Sequence, residues 1–407
     1  MRNWFKRKKK STDKMDGVAK RWKLLSGKNN WEGLLDPLDH DLRQYIIHYG
    51  EMAQACYDNF ISEKASRNAG NNRYSKDHLF AKVGLEKDNR FKYRVTKYLY
   101  ATSSIQVPEA FIIRSLSRES WSKESNWIGF VAVSTDEGKT ALGRREILIS
   151  WRGTVQSLDW VDDLEFLQVS APKIFKGGYT NSKIHQGWYS IYTSDDPRSP
   201  FNKTSARNQV LEEVKKLVED YKSEEISITI TGHSMGAAVG TLNAIDIVVN
   251  GLNNGCLVTA FLFASPRVGD SNFKNAFSKL ENIRILRVNN ALDIIPNYPM
   301  VDYSETGVEL VIDTTKSNYL KVPGDVRSWH SLEAHMHGVA GFQGAKGGFK
   351  LEVRRDISLV NKHLGALKDE YCVPASWWVE KNNGMVQLDD GSWKLMDRED
   401  DDDSVHT

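Results

Sequence analysis

The sequence predicts an α/β fold built on a central, mostly parallel sheet, and three observations predict it. Apolar runs of strand length, at Ile226–Thr231, Leu257–Ala264, Ile283–Val288 and Val308–Asp313, alternate with stretches of helical periodicity. The first of these runs, Ile-Ser-Ile-Thr-Ile-Thr, has period 2, and the small apolar segment Met235–Val249 follows almost at once. The chain has 407 residues, 40% of them hydrophobic and 27% charged, enough to bury one large core or two modest ones, and it shows no internal repeat. Alternation of strands and helices makes neighbouring strands parallel and their crossovers right-handed.

The elements follow in order. Residues 1–30 read as a basic, flexible arm, residues 31–375 as a single domain, and residues 376–407 as an extension ending in an acidic tail. Leu42, Ile46, Ile47, Met52, Ala53, Cys56 and Phe60 recur at helical spacing and predict a long amphipathic helix. Residues 61–126 are mixed and polar apart from an aromatic patch at Phe91–Tyr100, and carry no motif. Ile128–Val133 and Ile147–Trp151 read as strands joined by a hairpin-like turn over Asp136–Gly143. Val155–Phe166 places Leu158, Trp160 and Val161 on one helical face, which fits either a cover over a site or a core helix. Ile184–Tyr192 is aromatic, Ser205–Glu224 reads as a helix with Ser205 as N-cap, and Phe273–Leu280 as a short helix.

Charge and cysteine content narrow the partners. The formal charge of +2 conceals a basic start, with ten Lys and Arg against two Asp within residues 1–23, and an acidic end, with six acids against Arg398 within residues 397–403. The body between them is close to neutral, which argues against a nucleic-acid groove. Trp4 and Phe5 beside five consecutive basic residues suit an anionic membrane surface, and a nuclear-import signal has the same composition. Cys256–Ala264, nine residues of which one is a Thr and the rest apolar, is far below the ~20 that a membrane-spanning helix needs. The charged start lacks an apolar signal region, and Cys56, Cys256 and Cys372 form no C-x-x-C pair, so a cytoplasmic protein with reduced thiols is expected.

The chemistry concentrates at Gly232-His233-Ser234-Met235-Gly236, where strand meets helix in a turn too tight for ordinary side chains on both sides of Ser234. Gly232 and Gly236 let the two backbones approach each other, and the first amides of the new helix can receive a developing oxyanion. A serine nucleophile needs a histidine base, and that base needs an oriented carboxylate. Asp293 lies five residues past Val288, in a loop that Pro296 closes, and His330 opens the run His-Ser-Leu-Glu-Ala-His-Met-His. The order Ser, Asp, His is that of the α/β-hydrolases. Either His330 or His337 can supply the base; His330, at the mouth of a helix that begins near Ser331, is better placed. His233 is expected to pack under the turn. With no H-E-x-x-H, no EF-hand loop and no carboxylate cluster that completes a ligand set with the histidines, neither metal nor cofactor is expected.

Trp151-Arg152-Gly153-Thr154, the Trp160 segment, His185-Gln186-Gly187-Trp188, the turn at Ser234, Phe263-Ala264-Ser265-Pro266-Arg267-Val268-Gly269, and Asp293 with Pro296 together resemble the class 3 lipases. Asn30–Leu38 and His330-Ser331-Leu332-Glu333 are similar to the plant phospholipase A1 branch. The resemblance implies a Ser234–Asp293–His330 triad, an oxyanion hole from Thr154 and the Met235 amide, and a lid over Val155–Leu164 that includes Leu158, Trp160 and Val161. It also implies cleavage of the sn-1 ester of a glycerophospholipid through an acyl-serine, without a cofactor. Hydrolysis of mono- or triacylglycerols or of galactolipids is the alternative within that chemistry, and a lipid- or hormone-binding module on a hydrolase fold is the alternative outside it. In Met235 and His335 the chain departs from residues commoner in related sequences.

Overall fold

The computed structural model describes residues 17–117, 125–154, 166–175, 179–378 and 382–396. In chain order the helices are α1 (17–25), α2 (His40–Asp58), α3 (Leu79–Lys82), α4 (Asp136–Leu142), α5 (Gln186–Thr193), α6 (Ala206–Asp220), α7 (Met235–Val249), α8 (Ser271–Ser278), α9 (Val326–His330) and α10 (Leu332–Gly341). The strands are β1 (Tyr93–Ala101), β2 (Asn126–Ser134), β3 (Arg145–Trp151), β4 (Gln168–Ser170), β5 (Lys183–His185), β6 (Ile226–His233), β7 (Leu257–Phe263), β8 (Ile283–Asn290), β9 (Val308–Ile312), β10 (Met385–Gln387) and β11 (Trp393–Leu395). Seven of them form one sheet in the order β1-β2-β3-β6-β7-β8-β9. From β3 to β9 neighbours are parallel, while β1 and β2 add an antiparallel margin. This is the predicted mostly parallel α/β sheet.

The period-2 pattern of β6 divides the interior. Ile228 and Ile230 join a core with α5, α6 and α7, which includes Ile147, Ile149, Trp188, Val214, Leu242 and Ile245. The alternate residues face α2, where they meet a second core and a buried polar network. Thr231 Oγ1 donates to the Tyr49 carbonyl at 2.9 Å, Thr229 Oγ1 donates to Glu146 at 2.6 Å, and Arg144 Nε donates to Ser227 Oγ at 2.9 Å. Arg144 and Glu146 are wholly buried and paired with each other, and Tyr45 and Tyr49 supply further partners. A strand buried on both faces therefore keeps polar residues on one of them because a charged pair must be satisfied there.

Three expectations need correction, and one stretch that carried no motif proves to be a strand. Asp136–Leu142 is helix α4, with Thr135 as N-cap accepting from the Gly138 amide and Gly143 ending it at φ 79°, where a hairpin-like turn was expected. A Gly after a short polar stretch serves a helix C-cap as well as a turn, which accounts for the misreading. The aromatic patch at Phe91–Tyr100 is the edge strand β1, whose tyrosines were not read as alternating. The arm expected to extend to residue 30 is shorter, since Val18, Trp22, Leu25 and Trp31 are buried and Trp31 Nε1 donates to the Leu25 carbonyl at 2.9 Å. Trp22 also lies against the Arg144 guanidinium, 5.0 Å from ring centre to Cζ. At the other end Trp377, beyond the expected boundary at 375, is fully buried and donates to the Ser358 carbonyl. Trp22→Ala should accordingly lower unfolding free energy by about 3 kcal/mol or more in chemical denaturation; a change below about 0.5 kcal/mol would place α1 outside the folded body.

Candidate active site

Four segments carry the expected residues, and of these the structure pairs His330 with Asp293. Between β6 and α7, Ser234 has φ 57° and ψ −127°, a strained conformation for a residue with a side chain. Its neighbours have no room for one: a Cβ on Gly236 would lie 2.3 Å from the Trp151 carbonyl oxygen, and one on Gly232 would lie 2.5 Å from the Gly236 oxygen. Ser234 is fully buried and caps no amide of α7, and its Oγ has no hydrogen-bond partner among the described residues. Met235, the first residue of α7, is fully buried.

The candidate base, His330, ends α9. His330 Nδ1 lies 2.7 Å from Asp293 Oδ2, and the other ring nitrogen, Nε2, is buried and has no partner among the described residues. Asp293 follows β8 and is fixed in its loop by the Ile295 amide, which donates to Oδ1 at 3.0 Å, and by its own amide, which donates to the Asn290 carbonyl. Ser331 separates α9 from α10 and caps the latter, so His330 stands at the helix mouth, as its position in the run suggested. His337 is ruled out as Asp293's partner. It bonds Ser317 Oγ at 2.8 Å on another side of α10, and burial pushes its pKa down to about 3.

The third segment continues β3. Arg152 is fully buried with no acid beside it among the described residues; its guanidinium donates to the carbonyls of Trp127 (3.0 Å), Gly153 (2.7 Å) and Phe111 (3.2 Å) and packs over the Phe60 ring. Burial pulls its pKa down to about 10. These contacts fix the loop that carries Thr154, which is itself buried. Leu158, Trp160 and Val161, expected in a lid, lie outside the described residues. The fourth segment, His185 to Trp188, starts α5: His185 Nδ1 accepts from the amides of Gly187 and Trp188, so this motif residue serves as an N-cap.

Two further side chains border the site. His335 is fully buried, its Nδ1 donates to the Ser331 carbonyl at 2.9 Å, and its Nε2 lies 3.8 Å from Asp293 Oδ2. The one-turn spacing from Ser331 to His335 was the available signal for this placement. Tyr57, from α2, bonds His233 and was not legible, because it reaches the site from 176 residues earlier in the chain.

An α/β sheet, a serine on a strained strand-to-helix turn and an Asp–His pair on later loops define the α/β-hydrolase class. The profile of the family described as Lipase (class 3) matches residues 148–303. Phospholipase A1-IIgamma of Arabidopsis thaliana is 58% identical over 394 residues, covering 94% of each chain. Phospholipase A1-II 1 of Oryza sativa subsp. indica is 52% identical over 389 residues, covering 95% of this chain and 98% of its own. The native Rhizomucor miehei lipase propeptide complex is similar over 66% of this chain and 68% of that one, with a TM-score of 0.43 and 20% identity. The chain belongs to the class 3 lipases and, within them, to the phospholipase A1-II group of plants.

Burial of neutral histidines, two of them beside this site, makes folding sensitive to acid. Desolvation holds His48 at about 3, His185 at about 4 and His337 at about 3, and pulls His233 and His335 down as well. Each takes up its proton more readily unfolded, near pH 6.5, than folded, so its contribution to stability is complete above pH 6.5 and is lost as pH falls below it. Each histidine should cost up to about 1.4 kcal/mol per pH unit in that window. Melting temperature should therefore fall steadily between pH 6.5 and 4.5 and change little between pH 7 and 8.5; a flat profile across pH 6.5 would contradict the neutral burial of these rings.

Proposed function

We propose that this enzyme is a phospholipase A1, cleaving the sn-1 ester of glycerophospholipids at a membrane surface with Ser234, His330 and Asp293 as its catalytic groups. As a class 3 lipase it is a carboxylic ester hydrolase; the phospholipid head group and the sn-1 position are the reading favoured by the 58% identical relative named as a phospholipase A1. The observation that carries the assignment of roles is the 2.7 Å contact of His330 Nδ1 with Asp293, which leaves Nε2 free for a proton from the serine.

In this reading Ser234 Oγ attacks the ester carbonyl carbon while its proton passes to His330 Nε2. Asp293 accepts the hydrogen bond from Nδ1–H and stabilises the imidazolium. The carbonyl oxygen becomes an oxyanion facing Thr154 and the Met235 amide at the positive end of the α7 dipole. Collapse breaks the bond to the glycerol oxygen, which takes the proton from Nε2 and leaves as the lysophospholipid. Water then repeats the sequence, giving its proton to Nε2 and its oxygen to the acyl carbon, and the fatty acid departs.

Contact with a membrane is part of the proposal. Leu292 and Ile294 flank Asp293 and are exposed, and Met300 and Val301 are 61% and 74% exposed on the following loop. Exposed Phe166 and Leu167 adjoin them through Tyr303, whose Oη donates to the Phe166 carbonyl at 3.2 Å. Six exposed apolar residues around one site suit burial in a lipid interface. The basic residues before α1 would add attraction to anionic lipid, at about 1 kcal/mol per residue close to the surface, and a lid over Val155–Leu164 would open there. The free thiols of Cys56, Cys256 and Cys372 fit a cytoplasmic setting.

On phosphatidylcholine vesicles with distinguishable acyl chains, the product should be the lysophospholipid that retains the sn-2 chain. Ser234→Ala, Asp293→Ala and His330→Ala should each reduce kcat by about 10³-fold or more, and Ser234→Ala combined with His330→Ala should lose little beyond either alone. Turnover of monoacylglycerol or galactolipid well above that of phospholipid would favour the alternative substrates, and an active Ser234→Ala would refute the mechanism. Met300→Glu with Val301→Glu should weaken vesicle binding about tenfold while a dispersed short-chain ester is still hydrolysed; unchanged vesicle affinity would remove this rim from the membrane contact.

A further inference from the structure

We propose that His233 and Tyr57 act as a positioning pair for the catalytic base, holding the main chain from which the His330 ring hangs. The proposal rests on His330 being that base. His233 is 5% exposed and precedes Ser234 directly. Its Nε2 lies 2.8 Å from the His330 carbonyl oxygen. A carbonyl only accepts, so Nε2 carries the ring proton and donates it. Nδ1 is then a lone pair, and Tyr57 Oη, 2.7 Å away, donates to it.

The two bonds fix one tautomer. Moving the proton to Nδ1 would set a nitrogen lone pair against the His330 carbonyl in a buried place, at the cost of an unmatched acceptor pair. The charged groups facing His233 are few. Burial, together with repulsion from His330 and His335, keeps its pKa well below the usual value, and burial raises that of Tyr57, with Arg152 opposing and Cys56 adding to the rise. Both therefore keep their protons in place across the working range. The His233 ring also lies 4.6 Å from the His330 ring, centre to centre.

The same pair supports the oxyanion side. A Cβ on Gly153 would lie 2.0 Å from Tyr57 Oη and 2.5 Å from the His233 carbonyl oxygen, so the loop before Thr154 rests directly on them. Two hydrogen bonds thus link α2, the residue before the nucleophile and the base segment, and the floor of the oxyanion loop packs against the same two residues. Asp293 sets the rotation of the His330 ring from one side; His233 sets the height of its backbone from the other. Neither Tyr57 nor His233 touches the reacting atoms.

The test compares His233→Leu, which removes both bonds, His233→Gln, whose amide nitrogen can reach the place of Nε2, and Tyr57→Phe, which removes the donor that selects the tautomer. Ser234 phosphonylation by a fluorophosphonate and turnover of a soluble short-chain ester are measured per titrated active site from pH 6.5 to 9. His233→Leu should slow both about 100-fold with KM within about twofold, while His233→Gln recovers to within about tenfold and Tyr57→Phe loses about tenfold. The loss should be the same at every pH. Equal losses in the Gln and Leu variants, a change in KM alone, a displaced acid limb, or normal rates per titrated site would each overturn the proposal. If the unaltered protein is not labelled at Ser234, the assignment of the nucleophile has failed; labelling that proceeds at one rate with and without His233 defeats this inference alone.

Discussion

The conformation of Ser234 is the constraint around which the rest is arranged. A non-glycine residue at φ 57° and ψ −127° is held there only when its surroundings leave no alternative. Those surroundings are the Trp151 and Arg152 backbone, which occupies the space beside Gly236, and the α7 backbone, which occupies the space beside Gly232. Parallel pairing of β6 with β3 and β7 sets the strand from both sides, and α7 lies across all three. A side chain on either glycine would push strand and helix apart, and with them the serine from the loops that serve it.

The two faces of the sheet contribute differently to this. On the α7 face the contacts are apolar and close-packed, with Trp151 tied to α7 through its Nε1, which donates to Asn243. On the α2 face polar side chains of β6 and β3 meet the Arg144–Glu146 pair and the tyrosines of α2. Losing one member of such a pair strands a charge in the interior, so this face specifies the position of α2 more strictly than apolar packing would. Tyr57 is carried by that helix, which connects a network in the core to the histidine beside Ser234.

Much of this was legible in local pattern. The strands from β2 to β9 in the main sheet, the Ser205 cap, the tight turn at Ser234 and the loop position of Asp293 all follow from period, β-branching and glycine placement. The choice of His330 over His337 followed from where a helix must begin. What was not legible came from distant partners or from residues with two uses. Gly143 serves a C-cap as readily as a turn; the tyrosines of β1 carry too little contrast at a sheet edge; and Trp22 belongs to a basic stretch whose composition outweighs one buried ring. Tyr57 acquires its neighbours only on folding, and no spacing in the sequence brings it to His233.

The central claim is that Ser234 accepts the sn-1 acyl chain, and it is tested most directly by trapping that intermediate. Mixed-chain phosphatidylcholine vesicles would be turned over briefly, quenched in acid, and the peptide bearing Ser234 weighed by mass spectrometry. The account predicts a peptide heavier by the acyl group from sn-1, appearing before free fatty acid reaches its steady rate. An acyl group from sn-2 on that peptide, or steady fatty-acid release with Ser234 unmodified and no burst, would contradict it.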